Sequence, residues 1–158
     1  MSISKNEFRH ALGRFASGVT VITTKDKSGR RHGITVSAFS SVSLEPPLIL
    51  VCIEKRTGSH QAFVESEFFN VNILEESQQH FSDHFASQLP NKFDGIECFE
   101  TARGLPFLKD SLVHLECRLA HAHESGDHTI FVGEIQTSSV RDGKPLVYFH
   151  GGYRKLEE

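Results

Sequence analysis

Residues 121–128, His-Ala-His-Glu-Ser-Gly-Asp-His, gather three imidazoles and two carboxylates into eight positions. Three readings suit such a group. His121 and His123 alternate along a strand and would share a face, so with Asp127 or His128 they would chelate a metal. As a proton-handling cluster at the mouth of a pocket, the imidazoles would change charge near neutral pH. As a polar hairpin end they would do neither. No HExxH pair and no cysteine-rich spacing supports the metal. The other two readings stay open on these residues alone.

Two further stretches carry potential chemistry. Thr35, Ser37, Ser40, Ser41 and Ser43 place five hydroxyl side chains in nine residues, interleaved with Val36 and Ala38. Side chains this small let a flat ligand approach the backbone and hydrogen-bond to it; the plainer alternative is an edge strand with one wet face. The alternation breaks at Ser40-Ser41, which predicts a bulge or bend there. The 55–60 loop, Lys-Arg-Thr-Gly-Ser-His, offers charge at Lys55 and Arg56. At Thr57, Gly58 and Ser59 it offers hydroxyls and backbone N–H groups at the start of a helix, a setting for an anion. Taken alone, this loop reads as a plain solvated turn. Cys52 reads as a small core residue whose backbone is able to line a pocket. No GxGxxG, Walker or GxSxG motif is present.

The elements that must position these groups are mostly strands. Residues 2–18 predict a helix with Phe8, Ala11, Leu12 and Phe15 on one stripe. Ser4 and Glu7 have capping-box spacing, Ile3 and Phe8 staple spacing, and Gly18 is the stop. Residues 19–24 and 32–44 read as strands joined by a polar turn, and 48–53 as a buried apolar strand. A short helix follows the 55–60 loop, then a strand at 67–74. A second helix carries Phe81 and Phe85 at i and i+4. Residues 88–110 read as loop with a short strand at 96–99. From 111 to 123, Val113, Leu115, Cys117 and Leu119 take the core face, and His121 and His123 continue it. Strands at 128–140 and 146–150 complete the chain. With hairpin-scale turns and no βαβ alternation, the expectation is mainly β: an antiparallel closed or partly closed barrel with peripheral helices, one domain over 1–158.

Composition narrows the function classes. The net charge of −3 gives no nucleic-acid or membrane-surface footprint. Three cysteines without CxxC spacing read as reduced thiols of a cytoplasmic protein, and no apolar run has the length of a membrane span.

Five segments together carry a family resemblance: FRHALGRFASGVTVITT, GITVSAFSSVSLEPPLILVCI, FFNVNIL, GDHTIFVGEI and GKPLVYFHGGY. From Phe8 to Tyr153 the chain resembles the flavin reductases, the short-chain, FMN-binding split-barrel reductase components of two-component flavin-dependent monooxygenases. The resemblance implies a homodimeric, six-stranded antiparallel split β-barrel. It also implies hydride transfer from NADH or NADPH to FMN or FAD, and delivery of the reduced flavin to a separate oxygenase component. It places Thr35, Val36, Ser37, Ala38, Ser40 and Ser41 on the isoalloxazine and ribityl chain, flanked by Cys52 and Ile53. Lys55, Thr57 and Ser59 would hold the phosphate, and Phe85 would pack near the flavin. Gly126, Asp127 and His128 resemble the nicotinamide-binding loop, bordered by His123, His150 and Tyr153. His128 would orient the nicotinamide or supply a proton. On this reading the histidine-rich hairpin shapes a nicotinamide pocket, with no metal. The other function of the same fold is a flavin carrier or sensor without reductase activity.

Overall fold

The computed structural model describes residues 2–157. In chain order its helices are α1 (Lys5–Leu12), α2 (His60–Glu65) and α3 (Gln79–Ala86), the last entered through a 3-10 turn at Glu76–Gln78. Its strands are β1 (Ser17–Gly18), β2 (Thr20–Lys25), β3 (Arg31–Val36), β4 (Phe39–Ser43), β5 (Leu48–Glu54), β6 (Phe68–Ile73), β7 (Cys98–Glu100), β8 (Pro106–Leu108), β9 (Val113–Ser125), β10 (His128–Val140), β11 (Val147–Phe149) and β12 (Gly152–Arg154). The molecule is mainly β, as expected. Among the described residues no helix is long and apolar enough to cross a membrane.

The largest sheet runs β3-β2-β6-β9-β10-β5-β4, all antiparallel. It has seven strands where six were expected, and its two edges, β3 and β4, are not paired to each other among the described residues. Yet these edges are consecutive in the chain, separated only by Ser37 and Ala38. A sheet whose opposite edges are joined by so short a link must curl round on itself. Ile22, Val36, Val51, Phe69, Leu115 and Phe131 belong to the main core. A second cluster, with Val21, Leu74, Phe85 and Leu108, packs on the other face of β2 and beneath α3.

The irregular 88–110 segment contains a hairpin, β7–β8, whose second strand the sequence did not suggest. Its weak pattern is explained by what it rests on. The outer face of β2, β6 and β9 carries a polar row that binds its backbone. The Pro106 carbonyl accepts from Thr23 Oγ1 at 2.5 Å and from Asn70 Nδ2 at 2.9 Å. The Leu108 N–H donates to Asn72 Oδ1 at 2.8 Å, and the Leu108 carbonyl meets His114 Nε2 at 2.6 Å. Arg103 pairs with the buried carboxylate of Glu116 and lies 4.2 Å over the Phe68 ring.

Burial holds the His114 imidazole below its ordinary pKa, and burial with the nearby Lys55 does the same for His60. A histidine whose folded pKa is depressed takes up its proton first in the unfolded chain. Its contribution to stability is therefore present above the unfolded pKa, about 6.5, and is lost as pH falls. The midpoint of thermal unfolding is expected to drop as pH is lowered from about 7.5 through about 6.5. The slope should flatten in His114→Gln; an unchanged slope there would remove this residue as a cause.

At α1 the capping box forms as predicted: the Glu7 N–H donates to Ser4 Oγ at 3.2 Å and the Ser4 N–H to Glu7 Oε2 at 2.8 Å. The helix is capped at Gly13, well before the expected Gly18, because the chain must turn early to place Ser17 and Gly18 against β11. Its apolar stripe is uncovered in the monomer: Phe8 is 54%, Leu12 55% and Phe15 80% exposed. The expected staple partners Ile3 and Phe8 are likewise both exposed.

Candidate functional site

The hydroxyl-rich segment is two strands with a sharp corner between them. The Phe39 N–H donates to the Ser37 carbonyl at 2.9 Å, and the Cys52 N–H donates to the Ala38 carbonyl at 3.1 Å. Ser37 and Ala38 stand exposed at this corner. A bulge also occurs between Ser41 and Ser43, next to the Ser40-Ser41 break in the pattern. Ser40 and Ser41 are exposed on β4, an edge strand that leaves one row of backbone N–H and C=O groups unpaired by the sheet. The side chains of Val36 and Ile53 are buried in the main core, so only their backbone is open to a ligand. Thr35 Oγ1 donates to the Ser82 carbonyl of α3 at 2.6 Å. Cys52 is half-buried, and burial pushes its thiol up; Cys117, deeper, is pushed up to about 12, so neither thiol is a ready nucleophile.

The 55–60 loop and the hairpin tip meet. The Lys55 N–H donates to the Asp127 carbonyl at 2.9 Å, and the Lys55 ammonium lies 3.8 Å from the Glu124 carboxylate. His60 Nε2 meets Thr129 Oγ1 at 2.8 Å and adds a second tie. The Thr57 N–H and hydroxyl both return to the Glu54 carbonyl, at 3.2 and 2.9 Å, which rounds the loop. Ser59 is buried, with Oγ a weak 3.5 Å from the Gly33 carbonyl.

Thr57, Gly58 and Ser59 form one wall of a cavity of about 200 Å³. Gly33 and Ile34 also line it, as do residues 85–90 with Lys92. Among the described residues that line it, Arg30, Arg31, His32 and Lys92 are basic and none is acidic. The Lys92 ammonium donates to the backbone carbonyls of Phe85 at 2.8 Å and Gly33 at 3.2 Å, and burial lowers its pKa. Arg31 is compensated by Glu100 at 2.8 Å. N–H and hydroxyl groups together with ammonium and guanidinium groups fit a phosphate. Thr57, Ser59 and Phe85 are legible in the sequence, whereas Arg30, Arg31 and Lys92 are not, because Arg30-Arg31 look like the end of a turn.

The hairpin tip is a two-residue turn, Gly126-Asp127, between the paired residues Ser125 and His128. Gly126 has φ +62°, the left-handed region that glycine enters without strain. His128 Nδ1 meets Asp127 Oδ1 at 2.7 Å; that bond, aided by Lys5, holds the Asp127 carboxyl below its ordinary pKa. The expectation that His121 and His123 continue the core face is corrected. The register shifts so that Leu119 pairs Gly133 while His121 pairs Val132, which leaves Ala120 as an extra residue. One extra residue inverts the alternation, so both histidines are exposed, their rings stacked at 5.8 Å. Among the described residues no group of three or more His, Cys, Asp or Glu side chains is placed to hold a metal.

His150 and Tyr153 attach elsewhere. The Tyr153 hydroxyl meets Ser82 Oγ at 2.7 Å and Asp83 Oδ1 at 2.8 Å on α3; the His150 N–H donates to the Gly13 carbonyl at 2.8 Å. Tyr153 therefore joins Thr35 through Ser82 rather than the Gly126–His128 turn.

The flavin reductase like domain matches residues 12–157. The reductase subunit HsaB of a flavin-dependent monooxygenase from Rhodococcus jostii is 40% identical over 157 residues, covering 99% of this chain and 80% of the relative. The FMN reductase (NADH) SmoA of Agrobacterium fabrum is 39% identical over 153 residues, 97% of this chain and 87% of its own. The NADH:FAD oxidoreductase SgcE6 of Streptomyces globisporus, in complex with NAD and FAD fragments, superposes with a TM-score of 0.92 at 33% identity, covering 98% of this chain and 93% of that one. With its motifs ordered along one curled sheet and the domain matched over nearly its whole length, the chain belongs to the flavin reductase family.

Proposed function

We propose that this chain is an NADH-dependent flavin reductase that reduces FMN or FAD and supplies the reduced flavin to a separate flavin-dependent oxygenase. The observation that carries this reading is the seam between Lys55 and Asp127, which sets the phosphate-type loop directly beside the Gly126–His128 turn. The relatives support it, since they include a monooxygenase reductase subunit and NADH-using flavin reductases.

A bound flavin would supply the hydride acceptor and NADH the hydride, chemistry that belongs to the two cofactors. The chain supplies position. The Ser37–Ala38 corner and the free edge of β4, with Ser40 and Ser41, offer backbone groups to the edge of a flat ring. Ser59, Lys55 and the cavity cations hold the phosphate, and Thr57, its own N–H and hydroxyl committed to the Glu54 carbonyl, shapes the loop that presents them. His128, oriented by Asp127 through Nδ1, keeps Nε2 free to contact the nicotinamide. Val36, Cys52 and Ile53 contribute backbone, Thr35 tethers α3, and Phe85 closes one side of the cavity.

The same proposal takes β3 and β4 as two halves of one bent strand, which reduces the seven strands to a six-stranded split barrel in a single domain. It also takes the active form as a homodimer in the cytoplasm. The bare stripe of α1 supports the dimer, and three free cysteines suit a reducing compartment. Sedimentation is expected to give a dimer of the 17.7 kDa chain at micromolar concentration, and a monomer for the double variant Leu12→Asp, Phe15→Asp. A monomeric, fully active wild type would contradict this. Anaerobic mixing of flavin-loaded protein with NADH tests the reaction itself.

A further inference from the structure

A second cavity, of about 360 Å³, lies on the outer face of the sheet, and none of the proposed flavin or nicotinamide residues lines it. It opens beside two cross-strand rows. Asn70 pairs Glu116, which pairs Thr137; Asn72 pairs His114, which pairs Ser139. The β7–β8 hairpin binds the Asn70 and Asn72 end. From His128 to Thr137 is nine residues along β10, about 30 Å at the rise of an extended strand. The cavity is therefore remote from the hairpin tip.

Two residues of its lining each carry a buried acceptor with no partner among the described residues: Asn70 Oδ1 and Glu116 Oε2. Asn70 is 1% and Glu116 5% exposed. The orientation of the Asn70 amide is fixed by its surroundings, because Nδ2 donates to the Pro106 carbonyl, which only accepts. Glu116 already uses Oε1 to bind Arg103. Leaving a buried acceptor without a donor is costly. Directly opposed residues of antiparallel strands hold their Cβ atoms about 5 Å apart. Asn70 and Glu116 are directly opposed across β6 and β9, so their side chains stand side by side on the outer face.

Charge and shape narrow the occupant. Glu116 is paired with Arg103, and Glu100, the other carboxylate in the lining, with Lys25 and Arg31, so a neutral donor is favoured over an ammonium or a metal cation. Arg103, its side chain 43% exposed, has further N–H groups for an acceptor beside the donor. Phe107 and His114, ring centroids 4.6 Å apart, make an aromatic wall. We propose that this cavity is a second ligand site for a flat ring bearing an N–H₂ group next to an acceptor. Adenine and the nicotinamide carboxamide both present that edge. Asn70 and Glu116 accept from the N–H₂ group, Arg103 donates to the neighbouring acceptor, and Phe107 packs on the ring.

The test is calorimetric titration of the full chain with adenosine and with nicotinamide, each against a control that lacks the amino group: inosine and nicotinic acid. Saturable binding of at least one amino-bearing probe is expected, with its control about tenfold weaker or more. The stronger probe tells the two sources apart. Thr137→Trp fills the open end from an exposed strand position and should weaken binding by about tenfold or more. Arg103→Gln should weaken it too. Thermal midpoints and flavin reduction rates near those of the wild type show that the fold and the first site are intact in these variants. If a variant fails to fold, the shift of the Asn70 side-chain amide resonances in the wild type on adding probe decides instead. No binding by either probe would overturn the proposal and assign the two acceptors to ordered water. Binding equal to the controls, or unaffected by Thr137→Trp, would also overturn it.

Discussion

Phe85→Ala is expected to lower the unfolding free energy by about 3–5 kcal/mol, the range for emptying a buried aromatic site. The ring is fully buried. It lies on β3 where Gly33 leaves room, since a Cβ at Gly33 would sit 2.7 Å from two of its carbons. Phe93 meets it edge-on at 5.2 Å. The same residue lines the basic cavity together with Thr57 and Ser59, so its loss should also weaken flavin binding. Gly33→Ala probes the contact from the other side, and overpacking there should cost about 1–3 kcal/mol. Denaturant titrations of both variants measure this. A loss below about 1 kcal/mol in Phe85→Ala would mean that the ring does not brace α3 on the sheet.

The second large effect separates the two ligands. His128→Ala is expected to slow the NADH-dependent step, or weaken NADH, by about tenfold to a hundredfold, the worth of one oriented polar contact of about 1–3 kcal/mol. Flavin affinity should change little. Ser37→Ala should show the opposite bias, because Ser37 stands exposed at the corner between β3 and β4 while His128 stands at the tip of β9–β10. Flavin affinity is read by fluorescence quenching and the NADH step by reduction rate. Equal effects on both ligands in both variants would mean that the hairpin supports the fold only.

Much of the local structure was legible because it rests on neighbours in sequence. The Ser4–Glu7 capping box, the β-branched run of β2, and the Phe81–Phe85 helix face are each encoded within a few residues. What was not legible depends on partners far along the chain. The bulge at Ala120 turned His121 and His123 outward, and nothing in His-Ala-His marks it. The corner at Ser37–Ala38 exists because β2 pairs with one half of the segment and β5 with the other. The β7–β8 hairpin has little apolar pattern because Thr23, Asn70, Asn72 and His114 hold it through backbone bonds. The stripe of α1 has clear helical periodicity, and periodicity does not say what covers it. At the site, hydroxyl and glycine chemistry pointed to Thr57, Ser59 and Gly126. Arg30 and Lys92 needed the fold, because only the packing of α3 against β3 brings both to one cavity.

The central claim is that hydride passes from NADH to a flavin held by this chain. Anaerobic stopped-flow, with FMN or FAD bound and NADH then NADPH in excess, measures it directly through the loss of flavin absorbance. The account predicts rapid, complete bleaching with NADH, and recovery of the absorbance when oxygen is admitted. Flavin that binds but stays oxidised at saturating NADH and NADPH would contradict the account and leave the chain a flavin carrier.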